Sequence, residues 1–487
     1  MPNFAVDVVD AADPARQALV ELARDGSRRV WSFGEVADRA ARLAGTLAAR
    51  GVARGDVVLT LVGNRPEWVL AMTACFRLGA VVLPCTEQLR AKDLRLRLEA
   101  TRPALVVCDV RNRAVLDEAL AELPFAVDVL DVPDEDVYRA APAPAVDLAP
   151  GDPALLTFTS GTSGEPKAVL HGQRYLGGQA LQAEHWLDAR PGDLVWCTAA
   201  SGWSKSARNV FLAPWLRGAS ALLHDARFDP DERLEVLDRE DVAVLCMAPT
   251  EYRVVAKRAR PRHVPGLRGL VAAGEALNPE VLRAWEEATR LQVRDGYGQT
   301  ETGQVTGNLA GERARPGSMG RPLPGVRAWV ADGELVVDPQ TVPTFFLGYL
   351  GDDPWPRDRP WHTGDRVVQD DDGFLHFEGR TDDVIISAGY RIGPFEVESA
   401  LVSHPAVAEA AVVAAPDEER GAVVRAVVVL REGHEGGDAL ARELQDHVKD
   451  QTAPYKYPRR VDFAAELPKT SSGKVRRALL REQGSGA

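Results

Sequence analysis

Short apolar strands that alternate with amphipathic helices constrain the fold of this chain more than any other feature. Strands are predicted at residues 57–62, 80–84 and 104–108, with helical patterns between them, and the same alternation resumes over residues 155–271. Strands that are apolar along their whole length are buried on both faces, which is typical of parallel sheets covered by helices. The sequence therefore predicts an α/β fold.

One helix start is defined by its capping residues. Ser32 is followed three residues later by Glu35, which is the spacing of a capping box. Apolar residues then recur on one helical face as far as Leu47. We expect this helix to begin after Ser32 and to end at Gly51.

The length of 487 residues is too great for one compact core, so two or more domains are expected. A Pro- and Ala-rich stretch at residues 140–153 is typical of a connection between subdomains. The Gly- and Asp-rich segment at residues 378–383 leads into about a hundred residues with their own strand and helix pattern. We predict an N-terminal domain at residues 1–381 and a C-terminal domain at residues 382–487.

Charge and composition exclude several classes of function. The formal net charge of −13 argues against a nucleic-acid partner, which would favour a clustered basic face. The five cysteines show no CxxC spacing and lie in apolar strings, so we expect buried thiols and no metal site among them. Without an apolar leader or a run of ~18 apolar residues, the chain is expected to be cytoplasmic and to have no membrane partner.

The most informative local sequence is Thr159-Ser-Gly-Thr-Ser-Gly-Glu-Pro-Lys167, which follows a predicted strand. Backbone N–H groups and hydroxyls in such a loop can surround a phosphate, and its glycines permit positive φ. The loop is not a Walker A motif, because the Gly-Lys-Ser/Thr ending is missing. Taken alone, a Ser/Gly-rich loop is more often a plain turn.

Five further motifs follow in a fixed order. They are Gly296-Tyr-Gly-Gln-Thr-Glu301, Thr363-Gly-Asp365, Gly379-Arg-Thr-Asp-Asp383, Ser387-Ala-Gly-Tyr-Arg-Ile-Gly393 and Pro468-Lys-Thr-Ser-Ser-Gly-Lys474. Together with the 159–167 loop, they resemble the acyl-adenylate-forming superfamily of acyl-CoA synthetases, adenylation domains and luciferases. The resemblance spans about residues 31–477. Gly202-Trp203-Ser-Lys205-Ser and Ala453-Pro-Tyr-Lys-Tyr-Pro-Arg459 resemble the medium-chain acyl-CoA synthetases in particular.

The resemblance implies a large N-terminal domain of several subdomains, with a β-barrel-like part, and a small mobile α+β C-terminal domain. It also implies ATP, Mg²⁺ and coenzyme A. The residues expected to bind ATP are Thr159, Ser160, Gly161, Thr162, Ser163, Gly164, Lys167, Gly274, Glu275, Ala276, Gly296, Tyr297, Asp365, Arg380 and Arg391. More specific roles are implied for some residues: Thr300 would contact the α-phosphate, and Glu301 and Thr159 would serve the metal ion. Asp365 would accept hydrogen bonds from the ribose hydroxyls.

Lys474 is the residue that the resemblance assigns to adenylation, where an ammonium can bridge the acyl carboxylate and the α-phosphate. For thioester formation, the C-terminal domain would rotate about Asp382, withdrawing Lys474 and presenting Gly389 to the pantetheine. Trp203 would line the acyl and pantetheine tunnel, although a lone Trp is more often part of a core. Candidates for binding the CoA nucleotide are Arg391, Arg420, Lys449 and Tyr457.

The resemblance also bears on the length of the acid. Acetate-specific relatives carry a Trp where this sequence has Gly298, so we expect an open acyl pocket, with Met247 in another wall. Butyrate to octanoate, or aromatic acids, should then exceed acetate in kcat/KM. The sequence departs from the relatives in a short N-terminus and in a compressed stretch at residues 332–343, where dimer contacts or a domain edge could differ.

Two alternatives remain open at this point. The first is a stand-alone adenylation enzyme that loads a carrier protein, and the second is a non-catalytic acyl-nucleotide-binding protein. The expected partner is a small carboxylic acid, and a homodimer is also open.

Overall fold

The fold is α/β, as predicted, in a computed structural model that describes residues 3–159, 166–274, 279–381, 383–387, 390–417, 420–469 and 475–484. The strands, in chain order, are β1 (Gln17–Leu22), β2 (Arg28–Ser32), β3 (Val57–Leu61), β4 (Val81–Cys85), β5 (Leu105–Asp109), β6 (Asp128–Val132), β7 (Pro153–Phe158), β8 (Ala168–Gly172), β9 (Leu194–Cys197), β10 (Ser220–His224), β11 (Val244–Met247), β12 (Gly269–Ala273), β13 (Val293–Gln299), β14 (Gly303–Gly307), β15 (Arg321–Pro322), β16 (Ala328–Ala331), β17 (Glu334–Val337), β18 (Gly348–Tyr349), β19 (Trp361–Gln369), β20 (Leu375–Arg380), β21 (Ile385–Ser387), β22 (Tyr390–Ile392), β23 (Val407–Asp417), β24 (Gly421–Leu430) and β25 (Arg460–Phe463). The α-helices are α1 (Phe33–Ala49), α2 (Pro66–Leu78), α3 (Ala91–Thr101), α4 (Arg113–Ala121), α5 (Gln173–Gly178), α6 (Ala180–Gln182), α7 (Ala213–Leu216), α8 (Pro230–Arg239), α9 (Pro249–Arg258), α10 (Pro279–Thr289), α11 (Pro394–Ser403), α12 (Asp438–Gln451) and α13 (Arg477–Gly484).

Two large sheets form the body of the molecule. The first has nine strands in the order β15-β14-β13-β12-β11-β9-β10-β1-β2, and the pairs from β13 through β1 are parallel. The second has seven strands in the order β18-β8-β7-β4-β3-β5-β6, and the pairs from β7 through β6 are parallel. In α/β sheets, ligands bind at the carboxyl ends of parallel strands, so these two edges are where a site is expected.

The largest core cluster lies between the two sheets and includes Trp68, Trp186, Phe211 and Trp215. A second cluster covers one face of the nine-stranded sheet and includes residues of α8, α9 and α10. A third covers a face of the seven-stranded sheet and includes residues of α3 and α4. The apolar strand runs are therefore buried on both faces, as their sequences predict.

The start of α1 is as the capping residues predict. The N–H of Glu35 donates to Ser32 Oγ at 3.2 Å, and the N–H of Ser32 donates to Glu35 Oε2 at 2.8 Å. The helix closes at Arg50, and Gly51 follows with φ of +91°. Local sequence therefore determines both ends of this helix.

The region after β15 is smaller and largely antiparallel. β16, β17, β19 and β20 form a four-stranded antiparallel sheet where a β-barrel-like part was expected. The compressed stretch at residues 332–343 includes the hairpin turn between β16 and β17 and the whole of β17.

The C-terminal hundred residues have a core of their own. It is built from β21 to β24 with α11 and α12. The N–H groups of Arg481, in α13, donate to Asp383 Oδ1 at 2.8 Å, and Arg477 pairs with Glu398 at 2.8 Å. The boundary after residue 381 stays a prediction.

All five cysteines are buried, as predicted. No helix in the described ranges is both long and apolar enough to cross a membrane.

Candidate active site

Asp365, in the inner strand β19 of the four-stranded antiparallel sheet, is the centre of a buried hydrogen-bonded cluster. Only 4% of the residue is exposed. Tyr297 Oη and Gln299 Nε2 both donate to Asp365 Oδ2, the latter at 2.8 Å. Arg380 NH1 lies 3.3 Å from Asp365 Oδ1. The structure thus brings together three residues that the sequence predicted separately, Tyr297, Asp365 and Arg380.

Gln299 is a member of this cluster that sequence reasoning missed. Its Nε2 also donates to the Thr363 carbonyl at 2.8 Å, and its Oε1 accepts a hydrogen bond from Trp361 Nε1 at 2.9 Å. The amide therefore ties the end of β13 to the start of β19. Its place inside the Gly296–Glu301 motif was the available signal.

Electrostatics holds the Tyr297 hydroxyl in its neutral form. Burial raises the pKa of Tyr297 well above its ordinary value, and the charge of Asp365 raises this pKa further. A neutral hydroxyl remains a donor to the carboxylate. The Asp365 carboxylate is thereby oriented, with the Arg380 cation beside it.

Glu301 is positioned by a second tyrosine. Tyr349 Oη donates to Glu301 Oε1 at 2.9 Å, and Lys167 Nζ lies 4.8 Å from the centroid of the Tyr349 ring. The N–H of Phe346 donates to the Glu301 carbonyl at 2.8 Å. Burial is the main cause that raises the pKa of Glu301. Tyr349, which was not predicted, thus connects the end of the 159–167 loop with Glu301.

Both ends of the predicted phosphate loop are fixed to each other. The N–H of Thr159 donates to the Lys167 carbonyl at 2.9 Å, and the N–H of Lys167 donates to Thr159 Oγ1 at 3.2 Å. These two ends pair as a continuation of β7 and β8.

His171 lies behind the Thr300 segment. It is 1% exposed, and its imidazole hydrogen-bonds the backbone of Thr300 and of Thr344. Burial lowers its pKa to about 3, so the ring is neutral at ordinary pH. The ring packs on Tyr175 with centroids 4.0 Å apart. His171 therefore supports the residue that is expected to contact the α-phosphate.

Residues 199–203, which we call the Trp203 loop, follow β9 of the nine-stranded sheet and contact residues that follow β3 and β4 of the seven-stranded sheet. Asn64 Nδ2 donates to the Ala199 carbonyl at 3.1 Å, and Asn64 Oδ1 accepts the Ser201 N–H at 2.8 Å. Gly202 has φ of +89°, and a Cβ there would overlap the backbone of Thr86. Trp203 is only partly buried and belongs to no core cluster of the described residues. Its role in lining a tunnel stays a prediction.

Glycine is required at two of the predicted nucleotide positions. Gly274 has φ of +102°, and a Cβ there would overlap Lys205 Nζ, which donates to the Ala273 carbonyl. At Gly296 a Cβ would overlap the side chains of Gln304 and Trp186. Gly274 directly follows β12, and Gly296 lies in β13 opposite Ala273, the last residue of β12.

The two predicted acyl-pocket residues are placed differently from one another. Met247 is 2% exposed and packs in the core cluster that contains Leu245 and Tyr252. Gly298 is in β13 opposite Gln304, and a Cβ there would overlap the Gly303 carbonyl. The backbone of the β13–β14 turn therefore gives an additional reason for glycine at residue 298.

The predicted CoA-nucleotide residues lie on the C-terminal domain. The Arg420 N–H donates to Asp417 Oδ1 at 3.0 Å. Lys449 Nζ lies 4.4 Å from the ring centroid of Tyr457, and its hydrogen bond to Asp446 is the main cause that raises the pKa of Lys449. Arg391 is in β22. Several further predicted residues lie outside the described residues: Ser160, Gly161, Thr162, Ser163, Gly164, Glu275, Ala276, Asp382, Gly389 and Lys474.

Comparisons with known proteins identify the family of this chain. The AMP-binding enzyme family model matches residues 7–349, and the AMP-binding enzyme C-terminal domain model matches residues 396–474. The chain is 39% identical to the mouse mitochondrial acyl-coenzyme A synthetase ACSM4, with 99% of this chain and 90% of that protein covered. It is 37% identical to the uncharacterized acyl-CoA ligase YtcI of Bacillus subtilis, over 96% of this chain and 93% of that one.

Solved structures agree as well. An anthranilate CoA ligase in complex with anthranoyl-AMP is similar with a TM-score of 0.89 at 28% identity, covering 99% of this chain and 97% of that chain. The acyl-CoA synthetase of Brucella canis is 35% identical with a TM-score of 0.75, covering 99% and 94%. The predicted superfamily and the predicted AMP-forming ligase are therefore confirmed. The chain belongs to the AMP-binding enzyme family, and within it to the AMP-forming ligases of the acyl-CoA synthetase group.

Proposed function

We propose that this protein activates a medium-chain or aromatic carboxylic acid with Mg-ATP and transfers the acyl group to coenzyme A. The observation that carries the proposal is the cluster in which Tyr297, Gln299 and Arg380 converge on the buried carboxylate of Asp365. A buried carboxylate with oriented oxygens suits the two hydroxyls of a ribose, since each oxygen can accept more than one hydrogen bond.

Adenylation is an in-line attack of the substrate carboxylate on the α-phosphorus of ATP, with pyrophosphate as the leaving group. Both reactants are anionic, so the reaction needs fixed cations and donors more than a protein nucleophile. Lys474 would bridge the carboxylate and the α-phosphate. Thr300, supported from behind by His171, would donate to the α-phosphate, and Lys167 would neutralise the outer phosphates.

Glu301 and Thr159 are the residues that would serve Mg²⁺. In the described part of the chain no three His, Cys, Asp or Glu side chains are grouped so as to hold a metal ion. Mg²⁺ is typically bound by one or two carboxylates together with substrate phosphates, so a single oriented Glu301 fits this ion. Bound there, it would neutralise charge on the phosphate oxygens.

Thioester formation would follow a rotation of residues 382–487 about Asp382. The rotation would withdraw Lys474 and bring Gly389 to the Trp203 loop, where the thiol attacks the acyl carbonyl and AMP leaves. Arg391, Arg420, Lys449 and Tyr457 would then hold the CoA nucleotide. The Lys449 ammonium beside the Tyr457 ring supports this, because a cation next to an aromatic face can receive a nucleotide by charge and by stacking.

The function is tested by pyrophosphate release from an acid panel, followed by AMP release on adding free CoA. We expect butyrate to octanoate or benzoate to exceed acetate in kcat/KM, because each buried methylene contributes up to ~0.8 kcal/mol. Release that requires a carrier protein instead of free CoA would favour the carrier-loading alternative. A clear preference for acetate would contradict the proposed acid class, and no AMP from any acid would contradict the function itself.

A cytoplasmic location and a homodimer belong to the same proposal. Sedimentation of the purified protein tests the dimer. Fractionation of the source cells tests the location, which the mitochondrial relatives leave open.

A further inference from the structure

Arg208 is a buried cation that has no role in the adenylation reaction described above. It begins a π-helical turn, Arg208–Leu212, and only 4% of the residue is exposed. Its Nε has no hydrogen-bond partner, and among the described residues no carboxylate oxygen lies within 4.0 Å of its guanidinium. Burying a charge without a counter-charge costs free energy, so the presence of Arg208 at this buried position requires an explanation.

Other buried arginines of this chain show how a guanidinium is ordinarily satisfied. Arg233, which is 7% exposed, pairs with Glu251 at 3.1 Å. Arg294, which is 9% exposed, donates to the carbonyls of Trp186 and Leu187 at 3.0 and 3.2 Å. Arg208 has neither arrangement among the described residues, and its side chain hydrogen-bonds the neutral side chain of Tyr175.

The surroundings of Arg208 are polar, buried and incompletely hydrogen-bonded. We call this group the Arg208 cluster; its members are His171, Tyr175, Gln179, Gln182, Arg208 and Asn209. Gln182 Nε2 donates to Gln179 Oε1 at 2.8 Å and to Asn209 Oδ1 at 3.0 Å. Three further buried atoms are without partners, namely His171 Nδ1, Gln182 Oε1 and Asn209 Nδ2. No member supplies a negative charge, because Tyr175 and His171 are both neutral at ordinary pH.

The Arg208 cluster adjoins the site. Arg208 follows Lys205, whose Nζ reaches the Ala273 carbonyl at the end of β12, by one helical turn. The positive charge of Arg208 acts on Cys246, at the carboxyl end of β11, and on His171, which hydrogen-bonds the Thr300 backbone. The Arg208 side chain hydrogen-bonds Tyr175, whose ring packs on His171 with centroids 4.0 Å apart. The guanidinium is therefore connected through Tyr175 and His171 to the Thr300 backbone, and along the chain to the Lys205 turn.

From this placement we infer that Arg208 recognises a second, distal carboxylate on the acid substrate, so that the preferred substrates are dicarboxylic acids. This inference rests on the proposed function and names its substrate class. An arginine can hold a carboxylate through two parallel hydrogen bonds, and that ion pair would supply the counter-charge that the described residues do not. Asn209 Nδ2, on the next residue, is a buried donor without a partner among the described residues and could donate to the same carboxylate.

The experiment compares monoacids with diacids of equal carbon skeleton, namely hexanoate with adipate, octanoate with suberate, and benzoate with isophthalate and terephthalate. We expect the wild-type enzyme to prefer the diacid by at least about 10-fold in kcat/KM for one pair or more, the scale of one charge-assisted contact. Arg208→Met should lower kcat/KM for that diacid about 100-fold, while changing it less than about 3-fold for the monoacid. Arg208→Lys should retain part of the preference, since it keeps the charge but not the fork.

Arg217→Met is the matched control, because Arg217 lies on the same segment and pairs at the surface with Glu184 at 3.1 Å. Thermal unfolding with each diacid and AMP gives a second readout that needs no turnover: the diacid should raise the Tm of wild type and of Arg217→Met but not of Arg208→Met. If every monoacid exceeds its diacid while AMP is formed, the inference is overturned and the proposed function stands. If Arg208→Met loses both acids of a pair equally, Arg208 has a structural role and the inference is likewise overturned. If no acid yields AMP, both fall together.

Discussion

At the scale of single residues, the site depends on hydroxyls and amides that orient charged groups. The hydroxyl of Tyr297 serves Asp365 and that of Tyr349 serves Glu301. The charged partners, Asp365 and Glu301, could be predicted because each lies in a short motif that resembles the acyl-adenylate-forming superfamily. Tyr349 could not, since its role arises from a contact with Glu301, 48 residues away in the chain. Gln299 lies inside one of the motifs, but its contact with Asp365, 66 residues away, is not visible in that motif.

Removing the Tyr349 hydroxyl tests this orienting role. In Tyr349→Phe, Glu301 Oε1 loses a donor at 2.9 Å while the ring beside Lys167 remains. We expect adenylation to fall about 10-fold, the scale of one hydrogen bond to a charged group, with a higher requirement for Mg²⁺. Exchange of labelled pyrophosphate into ATP over a series of Mg²⁺ concentrations measures both. Tyr138→Phe, at another buried tyrosine outside the site, is the control, and equal effects of the two variants would contradict the role.

His171 predicts how stability depends on pH. Burial depresses its pKa from 6.5 to about 3 in the folded state, so the unfolded chain binds the extra proton between these values. Stability should therefore fall as pH drops from about 6.5 toward 3, with a slope of up to about 1.4 kcal/mol per pH unit from this one group. Above pH 6.5 the group contributes no slope.

The comparison variant for this prediction is His171→Asn, which keeps a hydrogen-bonding side chain but does not titrate. Urea unfolding at pH 4, 5, 6 and 7 should show a shallower acid dependence for the variant than for the wild type. Parallel curves over this range would show that His171 does not carry the dependence.

At the scale of elements, agreement between sequence and structure is best where a signal is local. The α1 capping box needs only residues 32–35, and the apolar strand runs need only their own composition. Met247, which the resemblance placed in a wall of the acyl pocket, illustrates the limit, because its side chain packs in the core cluster with Leu245 and Tyr252. Which face of a strand meets a ligand depends on the packing of neighbouring helices, which no local pattern records.

The capping box itself can be measured. Ser32→Ala removes the acceptor of the Glu35 N–H, which is 3.2 Å from Ser32 Oγ. We expect a loss of about 1 kcal/mol in the free energy of unfolding of the N-terminal region. Ser32→Asn, which retains a capping oxygen, should lie close to the wild type in urea unfolding followed by circular dichroism. A loss of the same size in both variants would assign the effect to something other than the cap.

At the scale of the whole molecule, two half-reactions share one site. Lys474 is expected to serve only the first. In Lys474→Ala we expect adenylation to fall about 100-fold or more, the scale of one preorganised charge-stabilising donor, while thioester formation from supplied acyl-AMP continues. Single-turnover assays of each half-reaction make the comparison.

Lys469→Ala is the matched control for that experiment, because Lys469 pairs with Glu409 on the C-terminal domain instead of reaching the nucleotide. Equal losses in both half-reactions of Lys474→Ala would reject the assigned role. The boundary at residue 381 and the rotation about Asp382 remain predictions. The same assays bear on the rotation, because a loss confined to adenylation is expected if Lys474 leaves the site before the thioester step.

The hydrogen bond from Arg481 in α13 to Asp383 has a consequence for the proposed rotation. The pivot proposed at Asp382 adjoins a carboxylate that Arg481 holds from 98 residues farther along the chain. Because both residues belong to the rotating residues 382–487, the pair would fix the segment just after the pivot to the body of the moving domain. An Arg481→Met variant, or a bulky affinity tag appended there, should change the rate of switching, seen in steady-state turnover, while each half-reaction measured alone keeps its speed.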